Sequence, residues 1–319
     1  MVLRTGIGSD CCECAMKQGS QFEQSRNHIL AEVREDGLAL QHASRLFRND
    51  SEIVYAAVRQ NPWALEFTGE ARRAERALVL EAVRQDGGVL RFAAEALREE
   101  REIVLEAVCR DGTALEFASE ALRADQGLVL LAVEQDGSAL QFAAATLCGD
   151  REVVLRAIGP STARQSSETG RGMLLRFASA ELRSDPSIVA VAVRQQGMAL
   201  QYALGAAALR RDVVLEAVRQ DGMALEFAPD ALRAEANMVL EAVRSDGAAL
   251  QFAASTLCED RDFAIAAIQL SCAAFPFVSE SLRADRTVVL EALKKDGMAL
   301  ELASDELRSD PSMILEAAS

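Results

Sequence analysis

The sequence predicts an all-α protein, an α-solenoid of about eleven short two-helix repeats. Three observations predict this fold class: a phrase that recurs every 25 residues, apolar residues with helical spacing inside each recurrence, and capping residues at matching places. The length of 319 residues would by itself suggest about two domains. The repeat period instead indicates one continuous stack.

The recurring phrase is Asp-Gly-x-Ala-Leu-x-Phe-Ala, in whole or in part. Its glycine returns every 25 residues, except for one step of 35 residues between Gly137 and Gly172. Pro62 and Cys272 stand where the period expects glycine, and half a repeat over 27–36 precedes the first. Repeats 1 to 11 begin at Gly37, Pro62, Gly87, Gly112, Gly137, Gly172, Gly197, Gly222, Gly247, Cys272 and Gly297, and positions are counted from these residues.

Each repeat contains two apolar patterns. In repeat 4 the first has the spacing i, i+3, i+7, and the second has i, i+1, i+4, i+5. Both spacings are helical, and neither alternates as a strand does. Two helices of about 10 residues each are therefore predicted, and such short helices are stable only when neighbours cover them. The residues are Leu115, Ala118 and Leu122 in the first pattern, and Leu128, Val129, Ala132 and Val133 in the second.

Capping residues mark the ends of both predicted helices. Position 13 is usually acidic, and its aspartates can accept the first free N–H groups of the second helix; proline follows in Asp185-Pro186 and Asp310-Pro311. The glycine is expected to end the second helix with a positive φ. Arginine at position 11 closes the first helix, where we expect it to face the helix dipole or to bridge to the next capping acid. The acids are Asp50, Glu75, Glu100, Asp125, Asp150, Asp185, Glu235, Asp260, Asp285 and Asp310; the arginines are Arg48, Arg73, Arg98, Arg123, Arg183, Arg233, Arg283 and Arg308.

An aromatic column occupies position 5. One large flat side chain in each repeat is expected to stack at the interfaces and to bury most of the area there. The column consists of Phe67, Phe92, Phe117, Phe142, Phe177, Tyr202, Phe227, Phe252 and Phe277, with His42 and Leu302 in the end repeats.

The phrase Asp-Gly-x-Ala-Leu-x-Phe-Ala-Ser-x-x-Leu-Arg-x-Asp-x-x-Val-Leu-Glu-Ala-Val resembles the family known as domain of unknown function 4116. The resemblance covers about residues 27–319, and one family unit corresponds to two periods here. It implies a tandem repeat module and supplies no catalytic residues. The chain departs from the pattern at Pro62, at Cys272 and in repeat 7, where Leu209 and Asp212 stand two residues late. We expect the first helix of repeat 7 to be longer than the others.

Composition narrows the possible partners and the compartment. The formal net charge of −15 argues against binding to nucleic acid or to anionic lipid, and no apolar run approaches the ~18 residues of a membrane span. Seven cysteines, an odd number without the spacing of a disulfide framework, and the absence of a secretory signal favour the cytoplasm or another reducing compartment. An organelle entered after removal of a transit peptide stays open. The predicted segments are a flexible leader over 1–26, repeat blocks over 27–158 and 172–319, and an inserted loop over 159–171.

Few residues suggest chemistry. His28 and His42 are the only histidines, no phosphate-binding glycine loop is present, and carboxylates recur once per repeat, so we predict no catalytic residues, no cofactor and no small-molecule substrate. The cluster Cys11, Cys12 and Cys14 offers three thiols where structural zinc needs four ligands. Incidental thiols in a leader are the simplest interpretation, with metal binding, palmitoylation or redox attachment as alternatives.

Two surfaces are candidate binding sites. The inserted loop is either a tolerated surface insertion or a docking or phosphorylation segment, and its hydroxyl residues are Ser161, Thr162, Ser166, Ser167 and Thr169. Charged columns on the second helices form either a self-neutralised solvated face or a groove for a partner. These columns are Glu81, Glu106, Glu216, Glu241 and Glu291, with Arg84, Arg219, Arg244 and Lys294 three residues later.

We therefore predict a non-catalytic scaffold or adaptor that binds another protein or a multiprotein complex through an extended repeat surface. The alternative is a constitutive structural or linker subunit of a larger complex. Nucleic-acid binding would require a basic groove with base-reading residues, which the net charge opposes.

Overall fold

The computed structural model describes residues 10–160 and 170–317, with side chains from residue 23 onward. The chain forms two compact units, Met1–Ala144 and Ala145–Ser319. Every regular element in the described ranges is helical, and the same order of helices returns in each repeat. Each unit is therefore a solenoid-like stack, which confirms the predicted all-α repeat fold.

Each repeat contains three helices instead of the predicted two. Repeat 4 has a 3-10 helix at Gly112–Phe117, a one-turn helix at Glu120–Arg123 and a long helix at Gln126–Gln135. The predicted first helix is broken because Ala118 and Ser119 are extended, and the N–H of Ser119 donates to the carbonyl of Arg98 in the preceding repeat at 3.2 Å. The break thus supplies a backbone hydrogen bond between repeats.

This inter-repeat bond joins position 7 of one repeat to position 11 of the repeat before it. Pro229 occupies position 7 of repeat 8 and has no N–H, so repeat 8 cannot donate this bond. The pairs in the first unit are Gly69–Arg48, Ala94–Arg73, Ser119–Arg98 and Ala144–Arg123. The pairs in the second unit are Ser179–Cys148, Leu204–Arg183, Ala254–Arg233, Ser279–Cys258 and Ser304–Arg283.

The helices follow one another in a fixed order along both units. The 3-10 helices span Gly37–His42, Pro62–Phe67, Gly87–Phe92, Gly112–Phe117, Gly137–Phe142, Arg171–Phe177, Gly197–Tyr202, Gly222–Phe227, Gly247–Phe252, Cys272–Phe277 and Gly297–Leu302. The one-turn elements span Phe47–Asn49, Glu70–Arg73, Glu95–Arg98, Glu120–Arg123, Leu147–Gly149, Ala180–Arg183, Gly205–Ala208, Asp230–Arg233, Ser255–Cys258, Glu280–Arg283 and Asp305–Arg308. The long helices span Ser51–Gln60, Arg76–Val83, Arg101–Arg110, Gln126–Gln135, Arg151–Ile158, Pro186–Gln195, Arg211–Gln220, Ala236–Ser245, Arg261–Leu270, Arg286–Leu293 and Pro311–Ala317.

The repeat glycines serve close packing instead of a left-handed cap. Among the described residues only Gly170 and Gly205 have a positive φ, so the expected conformational reason is wrong. A Cβ at Gly112 would lie 2.4 Å from the carbonyl oxygen of Ala132 in the long helix of the same repeat. In repeat 4, glycine therefore allows the start of the 3-10 helix to approach the backbone of the long helix. A Cβ would also lie 2.3–2.5 Å from the corresponding carbonyl oxygen at Gly37, Gly87, Gly172, Gly197, Gly222 and Gly297.

The core consists of short aliphatic residues, and the aromatic column flanks it. In repeat 4, Leu115 and Ala132 are fully buried, whereas Phe117 is only half-buried. The other eight aromatic residues at position 5 are half-buried too. The column therefore lies at the edge of the core, because leucine at position 3 and the inner face of the long helix occupy the fully buried positions.

A helix at Asp10–Glu35 precedes repeat 1 and crosses the boundary predicted at residue 26. The described part of the predicted flexible leader, from residue 10, is therefore helical. Leu30 and Val33 are buried, and Arg26 pairs with Asp50 at 2.8 Å. The helix covers the side of repeat 1 that no earlier repeat protects.

Repeat 7 keeps the register of its neighbours, contrary to the expected longer helix. Its one-turn helix, Gly205–Ala208, has the usual length, and the long helix begins at Arg211 as the period requires. Ala207 is fully buried in the position that leucine occupies elsewhere, while Leu209 is 66% exposed. The apolar side chain of Leu209 was thus mistaken for a shifted core position.

Candidate interaction surfaces

The predicted charged columns lie on the exposed side of the long helices, which we call the long-helix face. Two of the predicted pairs within one helix are present: Glu291–Lys294 at 2.5 Å and Glu241–Arg244 at 3.8 Å. Glu216 forms no ion pair with any residue that the structure describes. The columns are therefore only partly organised in the predicted way.

Other members of these columns pair between successive repeats. Arg84 lies 3.8 Å from Glu106, and Arg219 lies 2.8 Å from Glu241. Arg59, which was not among the predicted site residues, lies 3.3 Å from Glu81. These contacts neutralise charges on adjacent long helices. Because of these contacts, fewer unpaired charges are available to a partner than the columns in the sequence indicate.

A second set of ion pairs, which the sequence analysis missed, joins successive repeats. In each pair an arginine bonds to the acid at the N-cap position of the next long helix; this arginine is the first residue of a long helix, except for Arg26, which lies within the helix Asp10–Glu35. Its sequence signal is a constant spacing of 24 residues between arginine and acid, or 34 across the insertion. The pairs are Arg26–Asp50, Arg76–Glu100, Arg101–Asp125, Arg151–Asp185, Arg211–Glu235, Arg261–Asp285 and Arg286–Asp310.

The aspartates in these pairs also cap the long helices, as predicted, whereas the glutamates do not. Asp125 accepts from the N–H of Leu128 at 2.9 Å, but Glu100 makes no side-chain cap. The hydrogen bond from Arg101 lowers the pKa of Asp125. The pKa of Asp185 and of Asp310 is lowered to about 2, mainly by hydrogen bonds from the serine two residues later and further by the paired arginine.

We expected the position-11 arginines to bridge to the capping acids, but no such ion pair is present among the described residues. Arg48 instead donates from Nε to the carbonyl of Ala43 at 2.9 Å and from Nη2 to that of Gln41 at 2.6 Å. Its side chain thus folds back over the 3-10 helix of its own repeat. In the described ranges, five arginines of this column have a buried Nε without a hydrogen-bond partner: Arg98, Arg123, Arg183, Arg233 and Arg283.

Aromatic and charged side chains lie together on the exposed side of the 3-10 helices, which we call the 3-10 face (positions 1, 4 and 5). Trp63 is 37% exposed, donates from Nε1 to Asp86 at 2.8 Å, and meets the ring of Phe92 edge-on at 5.8 Å. The guanidinium of Arg91 lies 5.2 Å from the centre of Phe92 and 5.9 Å from that of Phe117. The half-buried aromatic column therefore continues into an exposed surface.

The inserted segment is described only at its two ends. Arg171 is 5% exposed and donates from Nη1 to the carbonyls of Ala157 and Gly159 at 3.3 and 3.2 Å. It thereby joins the residues that flank the insertion, and Gly170 has a φ of 104°. The hydroxyl residues predicted as a regulatory segment, Ser161, Thr162, Ser166, Ser167 and Thr169, lie outside the described residues.

The described thiols and imidazoles are dispersed. Burial raises the pKa of Cys148, Cys258 and Cys272, which disfavours the reactive thiolate. His28 lies 3.4 Å from Glu32, and the side chains of Cys11, Cys12 and Cys14 fall outside the described part. Over the described residues, no group of three or more His, Cys, Asp or Glu could hold a metal ion.

None of the helices in the described part is both long and apolar enough to cross a membrane.

Comparison with known proteins identifies the repeats. The family model described as Domain of unknown function (DUF4116) matches residues 31–71, 76–123, 125–159, 235–283 and 285–319. These five segments cover more than half of the chain. Residues 160–234 lie outside them, although repeats 6 and 7 have the same order of helices. No curated protein and no solved structure matches the chain.

Proposed function

The chain belongs to the DUF4116 family of tandem repeats, and we propose that it is a non-catalytic scaffold or adaptor that binds another protein along its 3-10 face. The observation that carries this proposal is the half-buried aromatic column together with the exposed Trp63 and Arg91 beside it. Aromatic side chains are usually well buried, and a contiguous apolar patch on a surface marks an interaction site. In the first unit the exposed Trp63 meets this column at the ring of Phe92.

The two faces differ in what they leave for a partner. On the long-helix face, pairs such as Arg84–Glu106 and Arg219–Glu241 satisfy charges inside the stack. On the 3-10 face, residues at position 1 differ between repeats on the same backbone frame, as Trp63, Gly88 and Thr113 show. A constant frame with varied exposed side chains supports recognition of a protein with varied chemistry along its length.

The described acids and thiols support a binding role rather than catalysis. The thiols also support a reducing compartment. The described acids largely serve as caps and ion-pair partners, and burial disfavours the thiolate of Cys148, Cys258 and Cys272. Free thiols scattered along the chain are typical of the cytoplasm, where we place the protein. The net charge of −15 favours a protein partner over a nucleic acid.

Capture from native lysate, with chemical cross-linking and mass spectrometry, tests the proposal. The Trp63→Ala, Arg91→Ala double variant removes exposed groups from the 3-10 face. The matched control Arg84→Glu, Glu106→Arg reverses a charge pair on the long-helix face without removing it. We expect the first variant to capture at least about ten-fold less of the partner than the wild type, and the control to capture the wild-type amount.

Two results would contradict this assignment. Loss of the partner only in the charge-reversed control would move the binding site to the long-helix face. One stoichiometric complex that resists both changes would favour a constitutive subunit. Circular dichroism of each variant checks that the fold is intact.

A further inference from the structure

One cleft in the first unit concentrates residues that break the repeat pattern. At position 8 most repeats have an acid or a small residue, but repeat 1 has Arg45. In repeats 8 and 11 the acid at position 8 pairs with the arginine at position 11, as Arg233–Asp230 and Arg308–Asp305. In repeat 1 both positions carry arginine, so this neutralisation is replaced by two like charges.

The cleft has a volume of about 560 Å³ and lies between the one-turn elements of repeats 1 and 2. Arg45, Arg48 and Arg73 line it, and Glu70 is the only acid among the lining residues. The lining therefore carries a net positive charge, although the whole chain carries −15.

The three arginines have donors to spare. Arg48 is held by the carbonyls of Ala43 and Gln41, which fixes its guanidinium and leaves other N–H groups unused. Arg45 and Arg73 make no side-chain hydrogen bond or ion pair with residues in the described ranges. Guanidinium groups held together without an anion repel one another, so a bound anion would relieve their repulsion.

The wall of the cleft also departs from the repeat pattern. Asn49 donates from Nδ2 to the carbonyl of Arg45 at 2.9 Å, which fixes the amide beside the arginines. A Cβ at residue 69 would lie 2.0 Å from the Oδ1 of Asn49, so Gly69 is required for Asn49 to occupy this place. The neighbouring Thr68 is buried where most repeats have alanine.

We propose that this cleft binds the phosphate group of a phosphorylated serine or threonine in a partner protein. A planar guanidinium group can donate two hydrogen bonds to two oxygens of one phosphate ester. The two negative charges of a phosphate also balance several arginines better than the single charge of a carboxylate does. A single phosphate fits a local positive cleft, whereas the charge of −15 would repel a polyanion such as RNA. The inference rests on the proposed scaffold function and names the chemistry of one bound segment.

Calorimetric titration of the full chain with defined probes tests this proposal. The probes are inorganic phosphate, the peptide Gly-Gly-phosphoserine-Gly-Gly and the same peptide without phosphate. The variant Arg45→Glu restores the acid that other repeats carry at position 8, so it is expected to fold. The control Arg110→Glu makes the same charge change at an exposed residue outside the cleft.

We expect the phosphopeptide to bind the wild type with a dissociation constant on the order of millimolar or tighter, and the unphosphorylated peptide to bind at least about ten-fold more weakly. Arg45→Glu should weaken phosphopeptide binding about ten-fold or more, and Arg110→Glu by less than about two-fold. Equal weakening by both variants, or no binding by the wild type, would overturn the proposal.

The inorganic phosphate titration separates two sources of the anion. If free phosphate binds as tightly as the phosphopeptide, the cleft is a site for free phosphate and the partner assignment is wrong. Lysate capture that persists after phosphatase treatment, without phosphopeptide binding, would refute this inference alone. Capture that persists undiminished in the Trp63→Ala, Arg91→Ala variant would instead refute the proposed function of the 3-10 face.

Discussion

Replacement of a repeat glycine by alanine tests the packing argument directly. At Gly112 the new methyl carbon would lie 2.4 Å from the carbonyl oxygen of Ala132, a backbone atom that cannot rotate away. The 3-10 helix and the long helix must then separate. Overpacking of this kind costs about 1–3 kcal/mol in the free energy of unfolding. Gly112→Ala should therefore destabilise the first unit.

Gly127 provides a matched control 15 residues later in the same repeat. It lies in the long helix, and a Cβ there would meet its nearest atom, the Oδ1 of Asp125, at 3.4 Å. Alanine is the better helix former, so Gly127→Ala should stabilise by about 0.5 kcal/mol. The same chemical change thus has opposite expected signs at two positions of one repeat.

Chemical denaturation followed by two signals measures both effects. Far-ultraviolet circular dichroism reports all the helices, and the fluorescence of Trp63, the only tryptophan, reports the first unit. Each repeat is stabilised by its neighbours, so a defect in repeat 4 should reach Trp63 in repeat 2. If Gly112→Ala were neutral, or if it stabilised as Gly127→Ala should, the close-packing explanation would be wrong.

Three further predictions concern capping and register. Glu100→Asp should add the missing cap and stabilise by about 0.5–1 kcal/mol in denaturation, whereas Glu99→Asp, outside the cap position, should change little; equal effects would contradict the capping geometry. Asp185 has a folded pKa of about 2 and an ordinary value of 3.8, so its contribution to stability is present above 3.8 and disappears as the pH falls to about 2. The difference in melting temperature between the wild type and Asp185→Asn should accordingly shrink over that range, and a constant difference would argue against this titration. Leu122→Ala should lower the free energy of unfolding by about 2–5 kcal/mol. Leu209→Ala, at a side chain that is 66% exposed, should lower it by less than about 0.5 kcal/mol. Similar losses for the two variants would indicate that Leu209 occupies a core position and that repeat 7 has a shifted register.

Only part of the candidate sites could be predicted from the sequence. The columns containing Glu81, Glu106 and Arg84 are visible in the sequence because they recur with the period. Their partners are not, because an ion pair between repeats depends on which helices lie side by side. The cleft around Arg45 and Arg73 joins residues 28 positions apart, so no local motif marks it.

The sequence by itself determined the repeat period, the all-α class and the capping aspartates, because these depend on local spacing and on hydrogen bonds within a few residues. Tertiary structure decided the rest. The break after Phe117 exists because Ser119 bonds to the preceding repeat, and the glycine at 112 is required by a helix that lies 20 residues further along the chain. The aromatic column is half-buried because aliphatic side chains already fill the fully buried positions of the core. Packing between distant segments sets these features, and a local pattern does not contain that information.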